Sequence, residues 1–291
     1  MKYLKREPNC GVEMISQNSE GKLVLPQDWY EPEDDIYDEK YGAYVELVEM
    51  FDQLQNYSHD LLLNSPCASA ARAVLSENRI PEDIWEKFGL GYLPALKEWI
   101  NSLGFGYDQK ERLKATRILR ETKEGEVSWF SERIVIPIRN IAGHCTKIWG
   151  RIVNERDGSP VYVGSAGLID SGDIFGLFEG MEEIKSKREM ILCEGPMDVL
   201  ALHSAGFGNA CSLLQSPISY LQIGLIRESC DKVIIMPDCD NYGQEQAAKI
   251  LGALKDSGIN GVLLKSKGAC DPLTMYLKEG TASLKEFFNA I

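Results

Sequence analysis

The chain has 291 residues, 44% of them hydrophobic and 26% charged, with a formal net charge of −13. This composition is ordinary for a globular protein of about two domains, and the sequence excludes a membrane span because no apolar run approaches the roughly 18 residues required. The negative net charge argues against a surface that is basic throughout and binds nucleic acid. The eight scattered cysteines include no Cys-x-x-Cys pair, which predicts that the protein is located in a reducing cytoplasm and that this chain has no zinc site.

The first half of the chain predicts helices followed by a hairpin. Residues 1–40 show little periodicity and are predicted to form an irregular acidic arm or appendage. Residues 41–180 are predicted to form an N-terminal subdomain, in which apolar residues recur at helical spacing and two β-like segments are joined by a turn. The expected helices are 41–63, 68–77, 81–88 and 96–103, and the expected hairpin strands are 134–138 and 145–153.

From residue 189 onward, short apolar runs alternate with helical segments. The expected strands are 189–193, 209–214, 232–236 and 260–265, and the expected helices are about 197–205, 217–228, 243–257 and one beginning near Asp271. Such alternation is typical of a parallel sheet with helices on both faces. We therefore predict an α/β fold (α+β overall), with residues 181–291 as a second domain.

Acidic residues follow these strands at the positions where a strand would end. The clusters are Glu194-Gly195-x-x-Asp198, Asp238-x-Asp240 and the single Asp271. Ligands bind at the carboxyl ends of strands in open α/β sheets, and gathered carboxylates require a hard cation such as Mg²⁺ or Mn²⁺. Two simpler explanations stay open: Asp198 as an acid favoured near a helix N-terminus and Asp271 as a helix cap.

A basic stretch precedes the acidic clusters. Residues 110–156 contain eleven bases and six acids, and residues 28–49 are strongly acidic. For charge clusters alone, a solvated surface is the favoured explanation. The basic stretch gains functional meaning only if it lies beside the acidic site.

The order of these motifs resembles a known family. The three acidic motifs, each after an apolar strand, look like a Toprim domain. Residues 69–92, the segment 133–139 with Gly150-Arg151, and Phe175-Gly176-Leu177 resemble, in that order, parts of the DnaG-type primase catalytic core of bacteria and phages. The resemblance covers about residues 60–291.

This resemblance implies synthesis of short RNA primers on single-stranded DNA from ribonucleoside triphosphates. It implies that Glu194, Asp238 and Asp240 hold divalent cations and are catalytic, with Asp198 and Asp271 assisting as ligands. It also implies that the template backbone is guided by basic hairpin residues, namely Arg133, Arg139, Lys147 and Arg151. Trp149 is interpreted either as a base-stacking residue or as a core tryptophan.

The sequence departs from the family at several places. The first 66 residues contain only Cys10, so a zinc ribbon would have to come from another protein, and no segment after Ile291 corresponds to a helicase-binding domain. The family's Lys-Tyr pair is Val161-Tyr162 here, and its next lysine is absent from Asp170-Ser171-Gly172. We therefore expect a compact phage or mobile-element primase, with two alternatives: a non-catalytic single-strand-binding replisome factor, or a Toprim nuclease.

Overall fold

The computed structural model describes residues 16–17, 23–24, 35–154, 158–166, 172–214, 217–264 and 271–289. Its first part contains a short β-ladder, five helices and two antiparallel sheets. In chain order the elements are β1 Ser16–Gln17, β2 Leu23–Val24, α1 Asp35–Asn64, a 3₁₀ turn Pro66–Ala68, α2 Ser69–Glu77, α3 Glu82–Phe88, β3 Gly91–Leu93, α4 Leu96–Ser102, α5 Tyr107–Ala115, β4 Leu119–Thr122, β5 Gly125–Ser128, β6 Arg133–Arg139, β7 Cys145–Ile152 and β8 Tyr162–Gly164.

The second part alternates helices and strands. Its elements are α6 Leu177–Lys187, β9 Glu189–Cys193, α7 Pro196–Ser204, β10 Ala210–Ser212, α8 Tyr220–Ser229, β11 Lys232–Met236, α9 Asn241–Asp256, β12 Asn260–Leu263 and α10 Pro272–Asn289. None of the helices in the described part of the chain is both long and apolar enough to cross a membrane.

Helix α1 begins earlier than the sequence predicts. It starts at Asp35, so residues 35–40 are helical and the expectation of an irregular arm through residue 40 is wrong for this stretch. The helix is fixed by a buried apolar stripe that includes Leu47, Phe51 and Leu54, spaced four and three residues apart. Apart from the two short strands, the remainder of the predicted arm lies outside the described residues.

The antiparallel sheet has the strand order β3-β6-β7-β8, so the predicted hairpin forms its centre. Alternate residues of β6 face opposite sides, as strand geometry requires. Ile134, Ile136 and Ile138 belong to the hydrophobic cluster shared with the second part of the chain. Val135 instead packs in the cluster formed with α1 and α4. The sheet therefore separates two cores.

The parallel sheet has the order β10-β9-β11-β12, and all of its neighbouring strands run in the same direction. Helices α7 and α10 pack with the cluster that contains Ile191 and Ile234, whereas α6, α8 and α9 pack with the cluster that contains Leu192 and Ile235. Helices thus cover both faces, and the predicted α/β fold class is confirmed.

The two parts of the chain share one buried core. Phe88 of α3 contacts Phe175 with ring centroids 5.2 Å apart and His203 of α7 at 4.7 Å. Burial, followed by the nearby positive charge of Lys87, lowers the pKa of His203 to about 3, so the ring is neutral. Because the hydrophobic cluster continues across residue 180, the division of the chain at that residue stays a prediction.

Candidate metal and nucleic-acid site

Strand pairing brings the first two acidic motifs together. Cys193 and Met236 are paired at the ends of β9 and β11, so Glu194 and Asp238 leave the sheet side by side. The backbone N–H of Asp238 donates a hydrogen bond to Oε2 of Glu194 at 3.3 Å. The Ser212 hydroxyl donates to the Glu194 carbonyl oxygen at 2.7 Å, which fixes the backbone of this residue from the neighbouring strand β10.

Asp238 has the properties of a carboxylate that lacks its counter-charge. Its Oδ1 atom is buried and has no hydrogen-bond partner among the described residues. Burial raises the pKa of Asp238 to about 6, and the negative charges of Glu194, Asp271 and Asp240 contribute further. Three neighbouring carboxylates thus repel the negative charge of the half-buried Asp238. A bound cation would offset this repulsion.

Asp198 joins two helices. It is only 8% exposed, its Oδ2 accepts from the Gly195 N–H at 3.1 Å, and its Oδ1 accepts from the Leu273 N–H at 3.1 Å. Burial raises the pKa of Asp198 to about 7 against these two hydrogen bonds, and the charges of Asp238 and Asp271 add to the rise. The residue therefore lies beside the other carboxylates while it also ties the start of α7 to the start of α10.

The remaining two acids cap helices. Asp240 accepts from the Gly243 N–H at 2.7 Å at the start of α9. Asp271 accepts from the Thr274 N–H and the Thr274 hydroxyl, both at 2.7 Å. The helix-cap interpretation of Asp271 is therefore correct, although a capping carboxylate retains lone pairs for a further partner.

The five acids do not form a finished metal cage. Among the described residues, no group of three or more His, Cys, Asp or Glu side chains is arranged to hold a metal ion. Nevertheless, the oxygen-only donors and the unpartnered Oδ1 of Asp238 fit a hard divalent cation. Glu194 is exposed and adjacent, so it and Asp238 are the two residues best placed as ligands.

Two contacts at this edge were missed by sequence reasoning. A Cβ atom added to Gly243 would lie 2.6 Å from Glu194 Oε2 and 3.0 Å from the Asp238 carbonyl oxygen. The Gln244 side chain donates to that same carbonyl at 2.9 Å. The signal was available: a glycine three residues after a capping Asp240 permits the helix to approach the carboxylates closely.

Arg133 does not occupy the position that the resemblance implies. It is 4% exposed, and its guanidinium donates to the carbonyl oxygens of Trp129 at 2.7 Å, Val161 at 2.9 Å and Gly150 at 3.5 Å. The prediction that Arg133 contacts the template backbone is therefore at odds with the structure. The reason is strand alternation, because Arg133 shares a face with Val135 rather than with Ile134.

Arg139 and Lys147 are engaged by acids of the second part of the chain. Arg139 lies 3.4 Å from Glu179 and also donates to the Lys87 carbonyl at 3.0 Å. Lys147 lies 3.7 Å from Asp173. These side chains are only 12% and 17% exposed, so in this structure they join the two parts of the chain rather than present charge to solvent.

Arg151 is linked to the acidic edge through Tyr162. Arg151 is paired across the sheet with Tyr162. Burial raises the pKa of Tyr162; the positive charge of Arg151 opposes this rise, and the negative charge of Asp198 adds to it. Trp149 is half-buried against the shared core and lies 6.1 Å from the Tyr162 ring, which favours its interpretation as a core residue. The basic sheet therefore meets the carboxylates at Arg151 and Tyr162.

Comparison with known families agrees with this geometry. Residues 57–167 match the N-terminal domain of the DNA primase catalytic core, and residues 191–274 match the Toprim-like family. In this order, the two matches correspond to a DnaG-type primase catalytic core with a Toprim domain. The DNA primase of Borreliella burgdorferi is 28% identical to this primase core over 224 residues, which make up 74% of the chain and 42% of that relative. The chain thus spans less than half the length of this curated relative.

Solved primase structures share the fold. The zinc-binding and RNA polymerase domains of the Aquifex aeolicus primase superpose with a TM-score of 0.74 at 26% identity, covering 93% of this chain and 64% of that one. A DnaG primase catalytic domain bound to single-stranded DNA superposes with a TM-score of 0.75 at 24% identity, covering 84% and 78%. The primase core therefore has the same arrangement of N-terminal and Toprim parts.

Proposed function

We propose that this chain is a DNA primase that joins ribonucleotides into short primers on a single-stranded DNA template. The observation that carries the proposal is the unpartnered, half-buried Asp238 carboxylate next to Glu194, at the strand ends of a Toprim domain that follows a primase N-terminal domain. The curated relatives that match the chain are DNA primases.

Glu194 and Asp238 are proposed as the principal ligands of Mg²⁺ or Mn²⁺, with Asp240 beside them. A divalent cation bound there would neutralise charge on the triphosphate and would lower the pKa of the attacking 3′-hydroxyl. Asp198 positions the site because it links the starts of α7 and α10, and Asp271 caps α10 beside it. Ser212 and the Asp238 N–H fix the Glu194 backbone and side chain.

Arg151 is proposed to contact the template phosphates beside the carboxylates. Further partners stay predictions: ribonucleoside triphosphates as substrates, a zinc-ribbon protein acting in trans, and a replicative helicase. We place the reaction in the cytoplasm, in replication of a phage or mobile element. The substrates and the helicase are proposed from the similarity to DNA primases.

The decisive assay is ribonucleotide incorporation on single-stranded DNA with Mg²⁺ or Mn²⁺, with and without added zinc-ribbon proteins. Template-dependent RNA is expected from the wild-type chain, and Glu194→Gln and Asp238→Asn should each reduce it by about a hundredfold or more. Glu245→Gln, an exposed acid on α9 paired only with Lys249 in the described structure, serves as the matched control and should retain full synthesis.

The same assay distinguishes the alternatives. Cleavage of the DNA without RNA synthesis would identify a Toprim nuclease. Tight binding with neither reaction, in the presence of zinc-ribbon partners, would identify a non-catalytic replisome factor. Either result would overturn the primase proposal.

A further inference from the structure

Several cations of the basic stretch form ion pairs within the described part of the protein. Lys114 lies within 4.0 Å of Glu111, Glu121 and Glu126, and Arg112 is paired with Glu46. By contrast, three exposed or half-exposed cations around strand β4 have no ion pair with any described carboxylate, namely Arg117, Arg120 and Lys123. The β4–β5 hairpin therefore carries cations that no described carboxylate pairs, although Glu121, Glu124 and Glu126 lie on the same hairpin.

An exposed tryptophan lies at this hairpin. Trp129 is 44% exposed, and the Arg120 guanidinium lies 5.2 Å from the centre of its ring. The backbone of Trp129 is held by the Arg133 side chain at 2.7 Å, and the next residue, Phe130, is fully buried. An aromatic ring on a fixed backbone with an arginine beside it is a typical stacking platform for single-stranded nucleic acid.

A polar cavity of about 160 Å³ adjoins the Trp129 ring. Its lining includes Ser131, Asn154 and Ser159, and the Ser131 hydroxyl is buried without a hydrogen-bond partner among the described residues. Glu132 and Arg133 also line the cavity, so its charged groups are of both signs, and its hydroxyl and amide groups suit a neutral ring with hydrogen-bonding edges.

We propose that this cavity binds one unstacked base of the single-stranded template, which stacks on Trp129 while Arg120 contacts the adjoining phosphate. The proposal rests on the template-directed activity proposed above and adds a specific subsite to it. The hydroxyl and amide groups of Ser131, Asn154 and Ser159 meet the edge of the base. Because serine and asparagine can both donate and accept, the site accepts more than one base.

The position of the cavity relative to the acidic edge supports this assignment. Ile152 lines the cavity and directly follows Arg151, and Val161, whose carbonyl accepts from Arg133, directly precedes Tyr162. Their side chains face opposite sides of the sheet, so a strand that contacts Arg151 would pass around the sheet edge at the exposed Val161 to reach Trp129. The template would therefore cross from one face of the sheet to the other between these two contacts, a path longer than the rise of about 3.3 Å between adjacent strand residues.

The test measures binding of labelled oligothymidylate by fluorescence anisotropy, with a matched oligonucleotide whose bases are removed. Trp129→Ala should weaken binding of the base-containing strand about tenfold, whereas Trp129→Phe, which keeps a stacking ring, should stay within about threefold of wild type. On the abasic strand all three proteins should bind alike. Val127→Ala, at a partly exposed residue of β5, is the matched control and should bind as wild type does.

Thermal melting establishes that the variants remain folded, which is expected because Trp129 is 44% exposed and lies outside the buried core. Equal binding by Trp129→Ala and wild type on the base-containing strand overturns the subsite, and so does an equal loss on the abasic strand. Primer synthesis measured in parallel separates the two proposals. If Trp129→Ala weakens base-dependent binding but the wild type makes no primers, the subsite is supported and the primase activity is contradicted. If the wild type makes primers but Trp129→Ala binds as the wild type does, the primase activity is supported and the subsite is contradicted. A wild-type chain that does not bind the strand overturns both.

Discussion

The carboxylates at the end of the parallel sheet and the cations of the antiparallel sheet differ in whether the protein itself supplies their hydrogen-bond and ion-pair partners. At the acidic edge, Asp238 keeps an oxygen without a described partner and Glu194 is exposed. In the hairpin, Arg133, Arg139 and Lys147 are occupied by carbonyl oxygens and buried acids. Unsatisfied charge is therefore what distinguishes the proposed metal site. A basic residue in the predicted hairpin, by contrast, does not by itself indicate a contact with nucleic acid.

The sharpest test of this difference compares two arginines of the same sheet. Arg133→Ala should reduce the free energy of unfolding by about 3 kcal/mol, because it removes hydrogen bonds from a buried charged group to three carbonyls. Arg151→Ala should change the free energy of unfolding by less than about 1 kcal/mol. Urea denaturation measures both values.

Binding to single-stranded DNA should reverse that order. Arg151→Ala should weaken binding and reduce the slope of log affinity against log salt by about one, while folded Arg133→Ala should leave the slope unchanged. A reduced slope in Arg133→Ala would show that the buried arginine becomes available to the template. It would contradict the assignment of Arg133 to a purely structural role.

Glu179 provides a pH test of the charges that join the two parts. It is 3% exposed and lies 3.4 Å from Arg139, yet burial outweighs the charges of Arg139 and Lys87 and raises the pKa of Glu179 from 4.5 to about 7. Between these values the folded protein binds more protons than the unfolded chain, so this carboxyl reduces stability as pH rises from about 4.5 to 7. At pH 7 this contribution amounts to about 3 kcal/mol.

Glu179→Gln should remove this contribution. The free energy of unfolding of the variant, measured by urea denaturation across pH 5 to 7, should fall less steeply with pH than that of the wild type. Parallel profiles would mean that Arg139 keeps Glu179 ionised, and that the contact is an ordinary ion pair.

A smaller effect is expected from closing the gap beside the carboxylates. Gly243→Ala places a methyl group within 3.0 Å of Glu194 Oε2, so the Glu194 side chain must move, and primer synthesis should fall about tenfold. Gly252→Ala lies in the same helix α9 with open space around its added methyl group, and should retain full synthesis. Equal rates in the two variants would show that the position of Glu194 is not critical.

The acidic edge could be predicted from the sequence because parallel strands end at one edge, so residues that follow successive strands meet there. The roles of the cations could not, because their partners are distant along the chain: Arg139 meets Glu179, and Lys147 meets Asp173. Arg133 is an exception, since the alternation of isoleucines in β6 already assigned it to the opposite face. Helix α5 was missed because its sequence is strongly polar and Leu113 is its one buried residue.

Glu194 and Asp238 are proposed to hold a divalent cation together. Titration of the protein with Mn²⁺, followed by the electron paramagnetic resonance of the free ion, measures this directly. The wild type and Glu245→Gln should bind Mn²⁺ alike, whereas Glu194→Gln and Asp238→Asn should each lose about tenfold or more in affinity. Equal affinity in all four proteins would contradict the assignment of the acidic edge as the metal site.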